Sequence, residues 1–258
     1  MSNHIRLGEV NLWYDEKGAG TPVVLMHGGF SDSRDFAGSL DTLSSRHRLF
    51  LPDRRGHGHT ADVDGPITIE NMTADMLAFI EKVVGGPAAL VGYSAGASVA
   101  LWAATHRPDL VSALVMVSGA FDPAGLIIRP EADGEWPPQV ITAYGEVSPD
   151  GEAHFPVIAR TIAAAVDEGT PLRATDLDRV TCPALVVAAD DDIVTLEHTI
   201  ELYRALPDGH LAILPGSSHL LLHEHPALCT ALIGDFLAGR RGPRLMPMSR
   251  GSAPGEPA

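Results

Sequence analysis

Six short apolar runs, each closed by glycine, proline or a small polar residue, constrain the fold of this chain more than any other feature. They are "VVLM" at 23–26, "LFL" at 49–51, "AALV" at 88–91, "ALVMV" at 113–117, "ALVVAA" at 184–189 and "LAIL" at 211–214. Unbroken apolarity without alternation is what a strand buried on both faces requires. Helical spacing lies between several of them. "ITIENMTADMLAFIEKVVGG" places Met72, Met76, Phe79, Ile80 and Val83 along one side before Gly85 and Gly86 stop it. Further helices are expected from Ala95 to about Thr105 and from Pro226 to Leu237. Strands alternating with helices imply a mostly parallel central sheet with helices on both faces. "RLGEVNLWYDEKG" alternates instead, as an antiparallel edge strand or hairpin would.

One interval breaks the rhythm. From 121 to 178 there is no buried run, only "PPQVITAYGEV" and "EAHFPVIARTIAAAVDEG", which read as helices. The expected organisation is an α/β core over 1–120 and 179–238, with a small helical cap inserted at 121–178. The tail 239–258, rich in Gly, Pro, Ser and Arg, is expected to be disordered.

In an open parallel sheet, ligands bind outside the carboxyl ends of the strands. The polar residues that follow the buried runs are therefore the candidate site: His27-Gly28-Gly29-Phe30, Asp53 to Gly58, Ser94, Ser118-Gly119, Asp190-Asp191-Asp192 and Ser217-Ser218-His219. A serine, an acid and a histidine, each at a strand end, are the parts of a nucleophilic hydrolase. A serine hydroxyl attacks a carbonyl poorly until a neighbouring base removes its proton. Histidine is the usual base because imidazole titrates near neutrality. Ser94 sits in "GYSAG", where Gly92 and Gly96 leave room for a sharp strand-to-helix turn.

These motifs resemble the α/β-hydrolase superfamily over nearly the whole chain outside the tail. "GYSAG" matches its nucleophile elbow, "HGGF" its oxyanion loop, "DRRGHGHT" its D-x-x-G-x-G-x-S/T turn, "AADDDIV" its acid loop and "PGSSH" its histidine loop. Ala189 stands where the acid loop usually has glycine. The resemblance implies Ser94 as nucleophile, His219 as general base and Asp192 as the acid, with Asp190, Asp191 and the more distant Asp122 as rivals. It implies an oxyanion site from the backbone N–H of Ala95 and of Gly29 or Phe30. His27, His57 and His59 fall in turns where packing or hydrogen bonding is expected. Trp102 and Met116 read as core, while Phe36, Tyr93, Trp136, Tyr144, Phe155 and Leu220 are candidate pocket lining.

The implied activity is a cofactor-free carboxylesterase for small to medium, largely apolar acyl groups. The same triad serves lactonases, thioesterases and carbon–carbon bond hydrolases, and receptor-like members of the fold bind ligands with little turnover. Ser94 at the elbow argues against an epoxide hydrolase or haloalkane dehalogenase, whose family nucleophile is aspartate. The net charge of −15, from 33 acidic and 18 basic residues, repels phosphate backbones and argues against nucleic acid as a partner. No metal site is expected. Two isolated cysteines, no basic-then-apolar leader and no long apolar run give the expectation of a cytoplasmic protein that does not enter membranes.

Overall fold

The computed structural model of the chain describes residues 2–168 and 171–240. Eight strands form one sheet: β1 (Ser2–Leu7), β2 (Val10–Lys17), β3 (Thr21–Met26), β4 (His47–Pro52), β5 (Ala88–Tyr93), β6 (Val111–Val117), β7 (Ala184–Asp191) and β8 (Gly209–Ser218). Their spatial order is β1-β2-β4-β3-β5-β6-β7-β8. The six apolar runs are the six parallel strands, and the alternating N-terminal segment is the antiparallel hairpin β1–β2 at one edge. The sixth run is not buried as expected: β8 forms the opposite edge, where Ile213 is 39% exposed and Leu211 and Ala212 are half-buried.

Unbroken apolarity has its explanation in the two cores. Val24 and Met26 of β3, Leu90 of β5, and Leu114 and Met116 of β6 pack into one layer. Their neighbours Val23, Leu25, Val91, Val115 and Val117 pack into the other. With side chains alternating across the pleat, a sheet covered on both faces needs an apolar residue at every position.

The first layer is covered by α1 (Ile69–Phe79) and α2 (Ala95–His106), the second by α7 (Pro226–Leu237) and short turns around Leu40 and Leu43. Thr68 caps α1 by accepting the Asn71 N–H. The helix runs on through a π-turn at Ile80–Val84, which Gly85 ends with φ of 79°. Between β6 and β7 come α3 (Pro138–Gly145), α4 (Phe155–Glu168) and short 3₁₀ turns, which cover the carboxyl end of the sheet. Two features tie this segment to the core: Arg34 donates to Glu146 at 2.7 Å and to the Ala143 carbonyl at 2.5 Å, and His154 pairs with Asp62 at 2.9 Å. Helix α5 (Leu196–Ala205) lies between β7 and β8, and the single turn α6 (Leu221–Glu224) precedes α7. Arg240 closes the described chain; the tail from 241 onward lies outside the described residues.

Register brings the strand ends to one rim. Met26 pairs with Gly92, Gly92 with Met116, and Val117 with Val187. His27, Ser94, Ser118 and the loop after β7 therefore leave the sheet side by side.

Candidate active site

Ser94 occupies the bend between β5 and α2 with φ of 53° and ψ of −121°, a conformation that L-residues other than glycine rarely adopt. The bend is enforced from behind. A Cβ on Gly92 would run into the Gly96 backbone, and one on Gly96 into the Met26 and His27 carbonyls. Both glycines are thus required by close approach. The result exposes the Ser94 hydroxyl at the start of α2, where the first N–H groups of the helix have no intrahelical acceptor.

The serine, the histidine and one of the three aspartates meet. His219 Nε2 lies 3.0 Å from Ser94 Oγ, and its Nδ1 lies 2.7 Å from Asp192 Oδ1. An Asp192 carboxylate can only accept, so the ring proton sits on Nδ1 and leaves Nε2 free to accept from the serine. Asp192 is 1% exposed at its side chain. Burial pushes its pKa up, but the hydrogen bonds from His219 and from Ser118 Oγ, the latter at 2.5 Å, outweigh it and hold the carboxyl below its usual range.

The rival aspartates are accounted for. Asp190 accepts the Gly216 and Ser217 N–H groups at 2.9 and 3.1 Å and so anchors the loop carrying the histidine. Asp191 is exposed, and Asp122 caps its own turn by accepting the Ala124 N–H at 2.7 Å. Glu224 holds the same histidine loop from the other side through the Ser218 N–H and hydroxyl at 2.8 and 2.7 Å. Tyr93 stacks against the His219 ring and donates to its backbone carbonyl at 2.8 Å.

The hydroxyl of Ser94 opens onto a cavity of about 620 Å³. Gly29, Phe30 and Ala95 lie in its wall beside the serine, and a Cβ on Gly29 would stand 3.7 Å from that of Ala95. Among the described residues none of the Gly29, Phe30 and Ala95 N–H groups has an acceptor. Phe30 has φ of 59° and packs at a tilt against Trp136, with ring centroids 4.1 Å apart.

The expected pocket lining needs correction. Trp136 is in the wall, but Phe36, Tyr93, Tyr144, Phe155 and Leu220 are not. Phe36 and Tyr93 pack in the layer on the opposite face of the sheet. Tyr144 and Phe155 are buried behind Phe30 and Trp136, which Phe155 meets ring to ring. Leu220 points to solvent, 53% exposed. Trp102, read as core, packs against the core and also lines the cavity, together with Ser98 and residues between β6 and β7 such as Phe121, Ile162 and Val166. A signal for this was present: Ser94, Ser98 and Trp102 recur every four residues, which puts them along one side of α2.

The remaining histidines have structural partners or none that bind metal. His59 pairs with the buried Asp53 at 2.8 Å, and His57 Nδ1 meets the Arg55 carbonyl at 2.8 Å. Among the described residues no group of His, Cys, Asp and Glu has the arrangement of a metal site, and no helix is long and apolar enough to cross a membrane.

Comparison with known proteins points the same way as the topology. BpoC of Mycobacterium tuberculosis, named as a candidate non-heme bromoperoxidase, is 28% identical, the match covering 88% of this chain and 98% of its own. The 2-(acetamidomethylene)succinate hydrolase of Mesorhizobium japonicum is 24% identical over 92% of this chain and 95% of its own. The enol-lactonase of Burkholderia xenovorans LB400 superposes with a TM-score of 0.76 over 92% of this chain and all of its own, at 22% identity. The family model described as "Alpha/beta hydrolase family" matches residues 23–232, from the first buried strand into the last helix, and the chain belongs to that family.

Proposed function

We propose that the protein hydrolyses carboxylic esters of small to medium, largely apolar acyl groups through an acyl-enzyme on Ser94. The observation that carries the reading is the hydrogen-bonded relay from Ser94 through His219 to Asp192, opening on the floor of a mainly apolar cavity. Ser94 Oγ attacks the acyl carbonyl while His219 Nε2 takes its proton, and Asp192 stabilises the imidazolium that results. The carbonyl oxygen, now anionic, is received by the N–H groups of Ala95 and Gly29. Collapse of the adduct breaks the bond to the alcohol oxygen, to which His219 returns the proton. Water then attacks the acyl-serine with His219 again as base, releasing the carboxylic acid and the free hydroxyl.

Acyl preference follows from the wall. Ile67, Met72, Trp102, Phe121, Ile162 and Val166 offer apolar surface. Arg129 is the one arginine or lysine among the described lining residues, and Glu131 and Glu135 line the same cavity. Such a wall favours neutral acyl groups over dicarboxylates.

The test is a p-nitrophenyl ester panel of increasing chain length, run beside lactones and thioesters, with Ser94→Ala as the blank. Neutral esters should give the highest kcat/KM. Ser94→Ala should lower kcat by about 10³-fold or more with an unchanged melting curve. Wild-type turnover in Ser94→Ala, or a lactone or thioester that surpasses every ester, refutes the proposal.

A further inference from the structure

Arg54 is 1% exposed, the largest of the fully buried side chains, and no step above uses it. It follows β4 and does not line the cavity; its guanidinium lies behind the loop that carries Gly28 and Gly29. Nη2 donates to the Gly28 carbonyl at 2.8 Å. His27, also fully buried, shares that acceptor. Its Nε2 accepts the Arg54 backbone N–H at 3.0 Å, which leaves the ring's proton on Nδ1, 2.7 Å from the same Gly28 oxygen. Burial, with the Arg54 charge beside it, pushes the His27 pKa well below its ordinary value and preserves this neutral tautomer. Burial also lowers the Arg54 pKa, to about 10, which still leaves a cation at neutral pH.

Two donors therefore pin one carbonyl. The Gly28–Gly29 peptide is trans, and in a trans peptide the N–H points opposite to the C=O. Holding the Gly28 oxygen inward turns the Gly29 N–H outward, to the side where Gly29, Ser94 and Ala95 border the cavity. The preceding peptide is fixed as well, because Asp35 accepts the Gly28 N–H at 2.9 Å. A carbonyl that accepts two hydrogen bonds, one of them from a cation, polarises its own amide and makes that N–H a better donor.

We propose that Arg54 is a positioning residue of the oxyanion site: through the Gly28 carbonyl it sets the direction and the donor strength of the Gly29 N–H. This rests on the ester-hydrolase reading above. A second observation argues against a merely structural role. Arg54 Nε and Nη1 have no hydrogen-bond partner among the described residues, a burial penalty that an apolar side chain of similar volume would avoid.

The experiment compares two inhibitors on the wild type, Arg54→Gln and Arg54→Lys. A trifluoromethyl ketone forms an adduct with Ser94 that carries an oxyanion; the matching methyl ketone binds as a neutral ground-state analogue. Arg54→Gln should bind the trifluoromethyl ketone on the order of 10- to 100-fold more weakly, less than the loss expected for deleting an oxyanion donor outright. It should bind the methyl ketone within about twofold of wild type and lose kcat at constant KM, with Arg54→Lys restoring part of both. Equal losses for the two ketones, or no loss, overturn the proposal. Should Arg54→Gln fail to fold, the wild-type ¹H–¹⁵N spectrum decides. A downfield shift of the Gly29 amide on adduct formation supports the proposal, and a Phe30 shift with Gly29 unmoved overturns it. A wild type that forms no adduct, behaving as Ser94→Ala does, defeats the hydrolase reading itself, and this inference with it.

Discussion

Replacing Ser118 by alanine takes one donor from a carboxylate with almost no access to water. Among the described residues, Asp192 Oδ2 accepts from Ser118 Oγ at 2.5 Å and otherwise only from the distant Ala189 N–H at 3.3 Å. A hydrogen bond to a buried charge contributes roughly 1.5–3 kcal/mol, so Ser118→Ala should lose about that much stability at neutral pH. At roughly 2–4 °C per kcal/mol for a domain of this size, the melting temperature should fall by about 3–12 °C. The loss carries a pH signature. Asp192 is held below its usual pKa in part by Ser118, and removing the donor raises that pKa. At high pH both proteins carry the ionised carboxyl and the full gap shows. As pH falls, the variant's Asp192 protonates first in the folded state, and the gap narrows. Ser118 also has φ of 50°, so Ser118→Gly loses the same hydroxyl but relieves the left-handed backbone. It should be about 1 kcal/mol more stable than the alanine variant. Melts of the three proteins from pH 8 to pH 4 make the measurement. A gap below about 0.5 kcal/mol at pH 7.5, within the range of ordinary surface substitutions, or one that widens as the pH falls, would refute this account.

Gly96→Ala drives a Cβ into the Met26 and His27 backbone carbonyls, so it should be insoluble or destabilised by about 3 kcal/mol, the upper end of overpacking costs. A soluble variant with the wild-type melt would mean that the elbow is not packed as described. The chain should also be acid-labile. His57 is pushed down to about 3 by burial and the Arg54 charge, and His27 well below its ordinary value. The unfolded chain protonates both below about pH 6.5, so stability holds above that value and falls on acidification by roughly 1.4 kcal/mol per pH unit for each histidine. A urea midpoint flat from pH 7 to pH 5 would contradict this.

The parallel strands were legible because burial on two faces leaves an unmistakable mark: every residue of "VVLM" or "ALVMV" must be apolar. The strand ends followed, and with them Ser94, Asp192 and His219. Helix α5 left a different mark, helical rather than unbroken: Thr195 caps it, and Leu196, Ile200 and Tyr203 recur at helical spacing, with the polar His198 and Thr199 among its buried residues. The cavity wall was the least readable part. Whether an aromatic faces a ligand or a neighbour depends on which layer it enters, and Phe36 and Phe155 look alike in sequence while lying in opposite layers. Ser118 was visible as a strand-end residue, but its bond to Asp192 spans 74 positions and only the folded register reveals it.

The stretch between β6 and β7 supplies more than half of the residues around the cavity, yet Ser94, Asp192 and His219 all lie outside it. On the proposed function, bond-breaking and substrate choice are therefore inherited on separate parts of the polymer. A graft of another sequence at this one position would change what enters while leaving the reacting atoms where the sheet puts them. Its entrance must still pair Leu126 with Val194 and offer the Ile127 N–H to the Ile193 carbonyl, because those links brace the acid that steadies His219.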